Sequence, residues 1–358
     1  MLNYRSIIRF PRRAETPPLL CFRFCLTLLV GFFSPALAHE SAPHSAGQTR
    51  AKTGALTGAL TGVETETQTG AKPVPQTSKL PLGDGKISSF PVRGYVMACS
   101  SRFPGGGGAH RSGAWLDGST WSPAAKPRAE GAVAWPNAAI SVQREGVKLE
   151  VREFRVIRAN NLPLHTTGEF PIQPGTSAFG FDRNPNRITE QPVLLRLPAA
   201  PQFAAEPGCV PMGMIGFALS GVAIFNAFDL AGRDAPAYEI QDACNGHPER
   251  TGQYHYHDWS ECMTDASGAA GKHSDVVGYM LDGFAIFGPK GEAGIALKNE
   301  DLDECHGHTH AVELDGKTQS VYHYHFTAEY PYTLGCFRGA VAPELLRREP
   351  PGAARTPQ

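Results

Sequence analysis

The tetrapeptide Tyr-His-Tyr-His occurs twice in this chain, at residues 254–257 and 322–325. In an extended strand neighbouring side chains face opposite sides. Each copy therefore sets two histidines on one face and two tyrosines on the other. The two imidazoles stand about 6–7 Å apart along the strand, twice the ~3.3 Å rise per residue. Such a strand packs through its tyrosines and presents paired ring nitrogens suited to a metal ion.

The duplication extends beyond the tetrapeptide. The apolar run 215–225 aligns with 277–287, and each is interrupted by a turn pair, Ser220-Gly221 or Asp282-Gly283. Asp-Gly between two apolar runs is a strong hairpin signal. Next, Asp242-Ala243-Cys244-Asn245-Gly246-His247 aligns with Asp303-Glu304-Cys305-His306-Gly307-His308, and each tetrapeptide is followed by a cysteine, Cys262 or Cys336. The order of hairpin, D-x-C-x-G-H, Y-H-Y-H and Cys predicts two like units, 215–262 and 277–336. Two units are too few for a solenoid, which takes about three or more repeats. They predict instead the halves of one domain, related by a pseudo-twofold with equivalent residues meeting near the axis.

Five arginines precede an apolar run at 24–33 that ends in Ala36-Leu37-Ala38. A basic start, a short apolar stretch and an A-x-A ending describe a secretory signal peptide over 1–38. The expected location is therefore periplasmic or secreted. The run is shorter than the roughly 20 residues that span a bilayer, so no stable membrane insertion is expected after cleavage. The chain carries 33 Lys+Arg against 34 Asp+Glu. Losing five arginines and one glutamate with residues 1–38 leaves 28 against 33. A mildly acidic chain without a basic run argues against nucleic acid as a partner and leaves metal ions or small molecules.

Residues 39–88, rich in Ala, Gly, Thr and Pro, read as a disordered tether, and 346–358 as a disordered tail. Between them, 89–345 reads as one large, mostly β domain with few helices. Long stretches of 3.6-residue period are missing, and 39 glycines and 30 prolines punctuate short apolar runs. Strict alternation at 147–152 predicts a half-buried strand, Glu145-Gly146 a turn before it, and the phase break at Glu153-Phe154 a bulge. Residues 193–197 read as another strand.

Six cysteines follow the signal segment, and an even number in an exported chain points to disulfides. Equivalent halves should make equivalent bonds, which pairs Cys244 with Cys262 and Cys305 with Cys336, leaving Cys99 for Cys209. Thiolate ligation of a metal is the rival, although no close C-x-x-C pair is present.

Nine of the 13 histidines lie between His247 and His325. Six occupy matched positions: His247, His255 and His257 in one half, His308, His323 and His325 in the other. Three imidazoles per half make a ligand set for Cu or Zn, and all six are expected to face a common polar pocket. Gly246 and Gly307 are expected to take positive φ and turn the histidine inward. Asp242 and Asp303 are expected to fix imidazole tautomers, with Tyr256 and Tyr324 beside the metal. The turn-rich stretches around His165 and around Asn184 and Asn186, together with His306, are candidate site loops. His306 and His310 flank His308 in the second half only, and His273 reads as a loop residue.

These motifs, with D-G-F-A-I-F-G-P at 282–289, P-Y-T-L-G-C-F-R-G at 331–339, N-x-L-P-x-H-x-T-G-x-F-P at 160–171 and D-R-N-P-N at 182–186, resemble the YHYH-domain family over about residues 90–340. That group of mostly bacterial proteins, read as exported, is named after the tetrapeptide. The resemblance implies no particular reaction or metal. Three functions stay open on the residues: a metal-binding module; a metalloenzyme, hydrolytic with Zn or redox with Cu; and a metal-free structural or interaction domain.

Overall fold

The computed structural model describes residues 79–106, 109–147, 152–263 and 271–346, all within one compact unit, 69–358. The signal segment, most of the tether and nearly all of the tail lie outside the described residues. The end of the stretch read as tether is strand instead. Leu80–Pro81 pairs with Thr120–Trp121 and Ile87–Ser88 with Val96–Met97. Leu80, Leu82 and Ile87 pack on the core, and the Gly83 N–H donates to buried Asp234. Two-residue strands carry no periodicity to read, so proline-rich composition hid them.

Eight strands form the central sheet: β1 Met214–Ala218, β2 Ala223–Phe225, β3 Gly246–Pro248, β4 Tyr254–Tyr256, β5 Val276–Met280, β6 Ala285–Phe287, β7 Gly307–Leu314 and β8 Lys317–His325. Their order is β3-β4-β2-β1-β5-β6-β8-β7. In each half a hairpin (β1–β2 or β5–β6) lies parallel to a Y-H-Y-H strand, which pairs antiparallel with the strand carrying the G-H of D-x-C-x-G-H. The halves join through β1 and β5, with Gly216 opposite Met280, Phe217 opposite Tyr279 and Ala218 opposite Gly278. The pairing therefore reads the same from either edge of the sheet.

Both hairpins turn where expected, with Gly221 at φ +85° and Gly283 at φ +93°. Each glycine also lets another chain segment approach: a Cβ would lie 2.8 Å from the Leu162 carbonyl or 2.6 Å from that of Pro198. Ile215, Phe217, Ile224, Met280 and Ile286 are fully buried, as expected of central strands covered on both faces.

A three-stranded sheet, Ile140–Val147, Arg152–Ala159 and Val193–Pro198, packs nearby, with Arg155 over the Tyr279 ring at 3.9 Å. Its first two strands pair without a register shift from Ile140↔Ala159 to Val147↔Arg152. Glu145 and Gly146 are thus strand residues rather than a turn, and Glu153-Phe154 holds no bulge. Residues 148–151, the middle of the stretch read as a half-buried strand, lie outside the described residues.

The α-helices among the described residues are two single turns, Ala235–Tyr238 and Pro343–Leu346. All three expected disulfides are present, Cys99–Cys209, Cys244–Cys262 and Cys305–Cys336. No thiolate is left among these six cysteines to bind a metal.

Candidate metal centres

Alternation sorts the Y-H-Y-H side chains into two faces. On the tyrosine face every hydroxyl is held. Tyr254 donates to Asp242 at 2.8 and 2.9 Å, and Tyr322 to Asp303 at 3.0 Å. The Tyr256 hydroxyl meets Ser220 at 3.1 Å and the His165 ring, while Tyr324 donates to Asp282 at 2.6 Å. Ser220 and Asp282 are the matched hairpin-turn residues, so each tetrapeptide is tied to its own hairpin.

Asp242 and Asp303 have a different role from the one expected. Each accepts the backbone N–H groups of its own motif, Cys244 and Gly246 or Cys305 and Gly307, besides the tyrosine hydroxyl. They brace the turn and touch no imidazole. Gly246 and Gly307 do not adopt positive φ. The preceding residues do, Asn245 at φ 57° and His306 at φ 77°. The glycines serve close approach, since a Cβ would lie 2.3 Å from the Tyr254 hydroxyl or 2.4 Å from that of Tyr322.

The histidine face is built from backbone acceptors. His255 Nδ1 lies 3.0 Å from the Gln253 carbonyl, and His257 Nδ1 is bonded to that of Asn226. The second copy repeats this, with His323 on Val321 O at 3.0 Å and His325 on Gly288 O at 2.7 Å. A carbonyl only accepts, so each Nδ1 carries the proton and each Nε2 keeps a bare lone pair. Phe225 stacks on His255 at 3.8 Å between centroids, and Phe287 lies 4.6 Å from His323.

Two separate clusters result, rather than one common pocket. Their tetrapeptide strands are five steps apart in the sheet, about 24 Å at roughly 4.8 Å per step. In the first cluster, donor atoms of His247, His255 and His257 lie within 4.8 Å of one another. His255 Nε2 and His257 Nε2 are 3.0 Å apart. Glu239 Oε2 lies 3.4 Å from His247 Nε2 and 3.3 Å from His257 Nε2. Glu239 follows the short helix Ala235–Tyr238, and the buried Lys126 ammonium fastens this segment by donating to the carbonyls of Pro236 and Glu239 and to Gln241. Nothing in the repeat marks Glu239. Sixty-one residues on, the offset between the two D-x-C-x-G-H motifs, stands Glu300, whose side chain is 75% exposed.

The second cluster gathers His273, His308, His310, His323 and His325. His308 Nε2 and His310 Nε2 are 3.0 Å apart, His310 Nδ1 is 3.1 Å from the Ala311 carbonyl, and His273 Nδ1 is 2.7 Å from that of Ser274. His310 joins through the same two-residue alternation that orders Y-H-Y-H, a signal that was there to read. His273 reaches the cluster from the loop before β5, a loop residue as expected, and no motif announces its part in the cluster.

Burial holds most of these rings neutral. It lowers His323 to about 3 and, with the charges of His310 and His273, His308 to about 4. His247, His255 and His325 are driven well below the ordinary imidazole value, by burial first and neighbouring histidines second. His257 is the exception: burial lowers it, but the Glu239 carboxylate beside its ring outweighs that and raises it. Both ring nitrogens of His247, Glu239 Oε2 and the Nε2 atoms of His273, His323 and His325 are buried without a hydrogen-bond partner among the described residues. Orphaned buried polar atoms are costly, and here they converge.

The remaining candidates lie elsewhere. His165 sits on the tyrosine side with its ring on Tyr256, so it does not join the cluster behind that strand. Tyr256 and Tyr324 likewise point away from the imidazoles. His306 is buried with Nε2 3.0 Å from Thr327 Oγ1, a packed side chain lowered to about 3 by burial. Asn184 and Asn186 both donate to the Pro248 carbonyl, at 2.9 and 3.2 Å, and anchor the end of β3.

No curated protein and no solved structure matches the chain. A family model described as YHYH protein matches residues 195–296, which hold β1 to β6 and the first D-x-C-x-G-H and Y-H-Y-H. The second tetrapeptide repeats that arrangement beyond the matched stretch. Over residues 195–296 the chain is thus similar to the YHYH family, and the second copy of the motifs carries the likeness further along the sequence.

Proposed function

We propose that this is an exported metal-binding protein, disulfide-braced and holding first-row transition metal ions, Zn or Cu, at the two histidine clusters. One observation carries the reading: two Nε2–Nε2 contacts of 3.0 Å, His255 with His257 and His308 with His310. The Nδ1 protons of His255, His257 and His310 are committed to carbonyls, so the neutral rings turn their Nε2 lone pairs towards one another in buried surroundings. A cation between them turns that repulsion into coordination. Bonds of about 2.0–2.1 Å put ligand atoms about 3.3–3.4 Å apart in a tetrahedron and about 2.9 Å apart at right angles. The observed separations of 3.0, 3.3 and 3.4 Å fall in that range.

The first cluster supplies four donors from the protein and is enclosed, which favours binding over catalysis, since catalytic zinc keeps an open position. Three disulfides support an oxidising compartment. Elemental analysis of protein purified without an affinity tag should give two metal equivalents per chain. H255A/H257A should lose one while keeping all three disulfides. Absence of stoichiometric metal, both as purified and after reconstitution with Zn or Cu, defeats the reading. So does loss of folding in H255A/H257A with no change in metal content of the remaining folded fraction, which would make the histidines plain core.

A further inference from the structure

The two clusters descend from matched repeats yet differ in every residue that the tetrapeptides do not supply, apart from the His247/His308 pair. The first adds a carboxylate, Glu239, and is closed. The side chains of His247, His257 and Glu239 are 5, 4 and 12% exposed. The second adds two imidazoles, His273 and His310. At the hairpin offset of 62 Pro211 stands in place of His273, and at the D-x-C-x-G-H offset of 61 Glu249 stands in place of His310, its carboxylate occupied with Thr251 and Gln253. His273, His308 and His310 are only half-buried. His308 also lines a cavity of about 410 Å³ with Glu300, Asp301 and Asp303, opposed by Arg93 and Arg338.

Building on the metal-binding reading above, we infer that the centres are not interchangeable. The His247/His255/His257/Glu239 centre retains a tetrahedral zinc ion, and the five-histidine centre exchanges copper with solution. Three observations support the division. The Glu239 distances of 3.3 and 3.4 Å match the edge of a tetrahedron with zinc-length bonds, and the 3.0 Å His255–His257 edge is compressed by about 0.3–0.4 Å from it. Five nitrogen donors with no buried carboxylate suit the tetragonal coordination of Cu(II), which outranks Zn(II) at nitrogen sites of this kind. Accessibility differs in the same sense: the four-donor set is sealed, whereas the five-histidine set reaches a cavity whose three carboxylates attract cations.

The test uses the full exported chain, loaded with two equivalents of Zn(II), then given one equivalent of Cu(II) and finally a moderate-affinity chelator. One zinc and one copper per chain are expected, with the copper removed by the chelator at least tenfold faster. The Cu(II) electron paramagnetic resonance spectrum should show nitrogen hyperfine structure. E239A should lose the retained zinc and leave that spectrum unchanged, whereas H273A/H310A should lose the copper and keep the zinc. The half-buried positions 273 and 310 favour folding of the second variant, and the E239A arm tests the division if it does not fold. Two ions that exchange at equal rates, or a copper spectrum altered by E239A, overturn the inference while leaving metal binding intact. Retention of no metal by the wild type overturns the metal-binding reading itself and this inference with it.

Discussion

At the residue scale, two glycines show how a motif can be conformationally plain and sterically strict. Gly246 and Gly307 leave no room for a methyl group because a tyrosine of the neighbouring strand occupies that space. G246A and G307A should each destabilise the protein by about 1–3 kcal/mol, the usual range for overpacking. G146A, where nothing lies within 4 Å, should cost nothing measurable; urea unfolding separates the three. Asp282 supplies a pH test. Burial raises its carboxyl from 3.8 to about 6, although Tyr324 and the N–H groups of Gly339 and Phe284 pull the other way. Its native form binds the proton more tightly than the unfolded chain does. The resulting stability is complete below about pH 3.8 and lost as pH rises through about 6. Wild type should therefore lose on the order of 2–3 kcal/mol relative to D282N between pH 4 and pH 7, at roughly 1.4 kcal/mol per unit. Equal slopes in urea titrations across that range would show that Asp282 does not titrate this way.

At the element scale, each Y-H-Y-H strand is a divider. Its tyrosine side is fastened to an aspartate of the D-x-C-x-G-H turn and to a hairpin-turn residue, while its histidine side is fastened through Nδ1 to carbonyls. The disulfides close loops of different length around this frame, with sequence separations of 18, 31 and 110. On chain entropy alone their removal should cost about 3.2, 3.7 and 4.8 kcal/mol, in that order. Paired Cys→Ser variants followed by urea unfolding would check the ranking. A larger loss from the Cys244–Cys262 pair than from Cys99–Cys209 would mean that the local bridge supports native packing beyond its loop. The Asp242 network makes the opposite expectation for the turn, since it holds the backbone N–H groups of Cys244 and Gly246 whether or not the sulfurs are joined.

At the scale of the whole molecule, one eight-stranded sheet keeps two like units and sends their histidines to opposite ends. Joining the units through β1 and β5 places each Y-H-Y-H strand next to last in the sheet. Matched residues at the join are neighbours, while matched residues of the clusters are as far apart as the sheet allows. The centres should therefore load independently. Calorimetric titration of metal-free protein should give two separable events, and E239A should alter one of them without changing the enthalpy of the other. Coupled changes in both would point to a contact between the halves beyond the shared sheet.

The sequence by itself determined what depends on neighbours in the chain or on the repeat. Alternation in an extended strand put His255 with His257 and Tyr254 with Tyr256, because that geometry is a property of the backbone. The repeat paired the cysteines, because equivalent halves close equivalent loops. The hairpin turns at Gly221 and Gly283 were legible for the same local reason. Tertiary structure alone decided which groups from other segments meet those faces. Glu239 arrives just after a single-turn helix held by Lys126, His273 from the loop before β5, and both aspartates meet tyrosines across the turn instead of imidazoles. Such contacts join residues with no common period or spacing. They follow from how the strands stack in the sheet, and that ordering also turned one expected pocket into two centres.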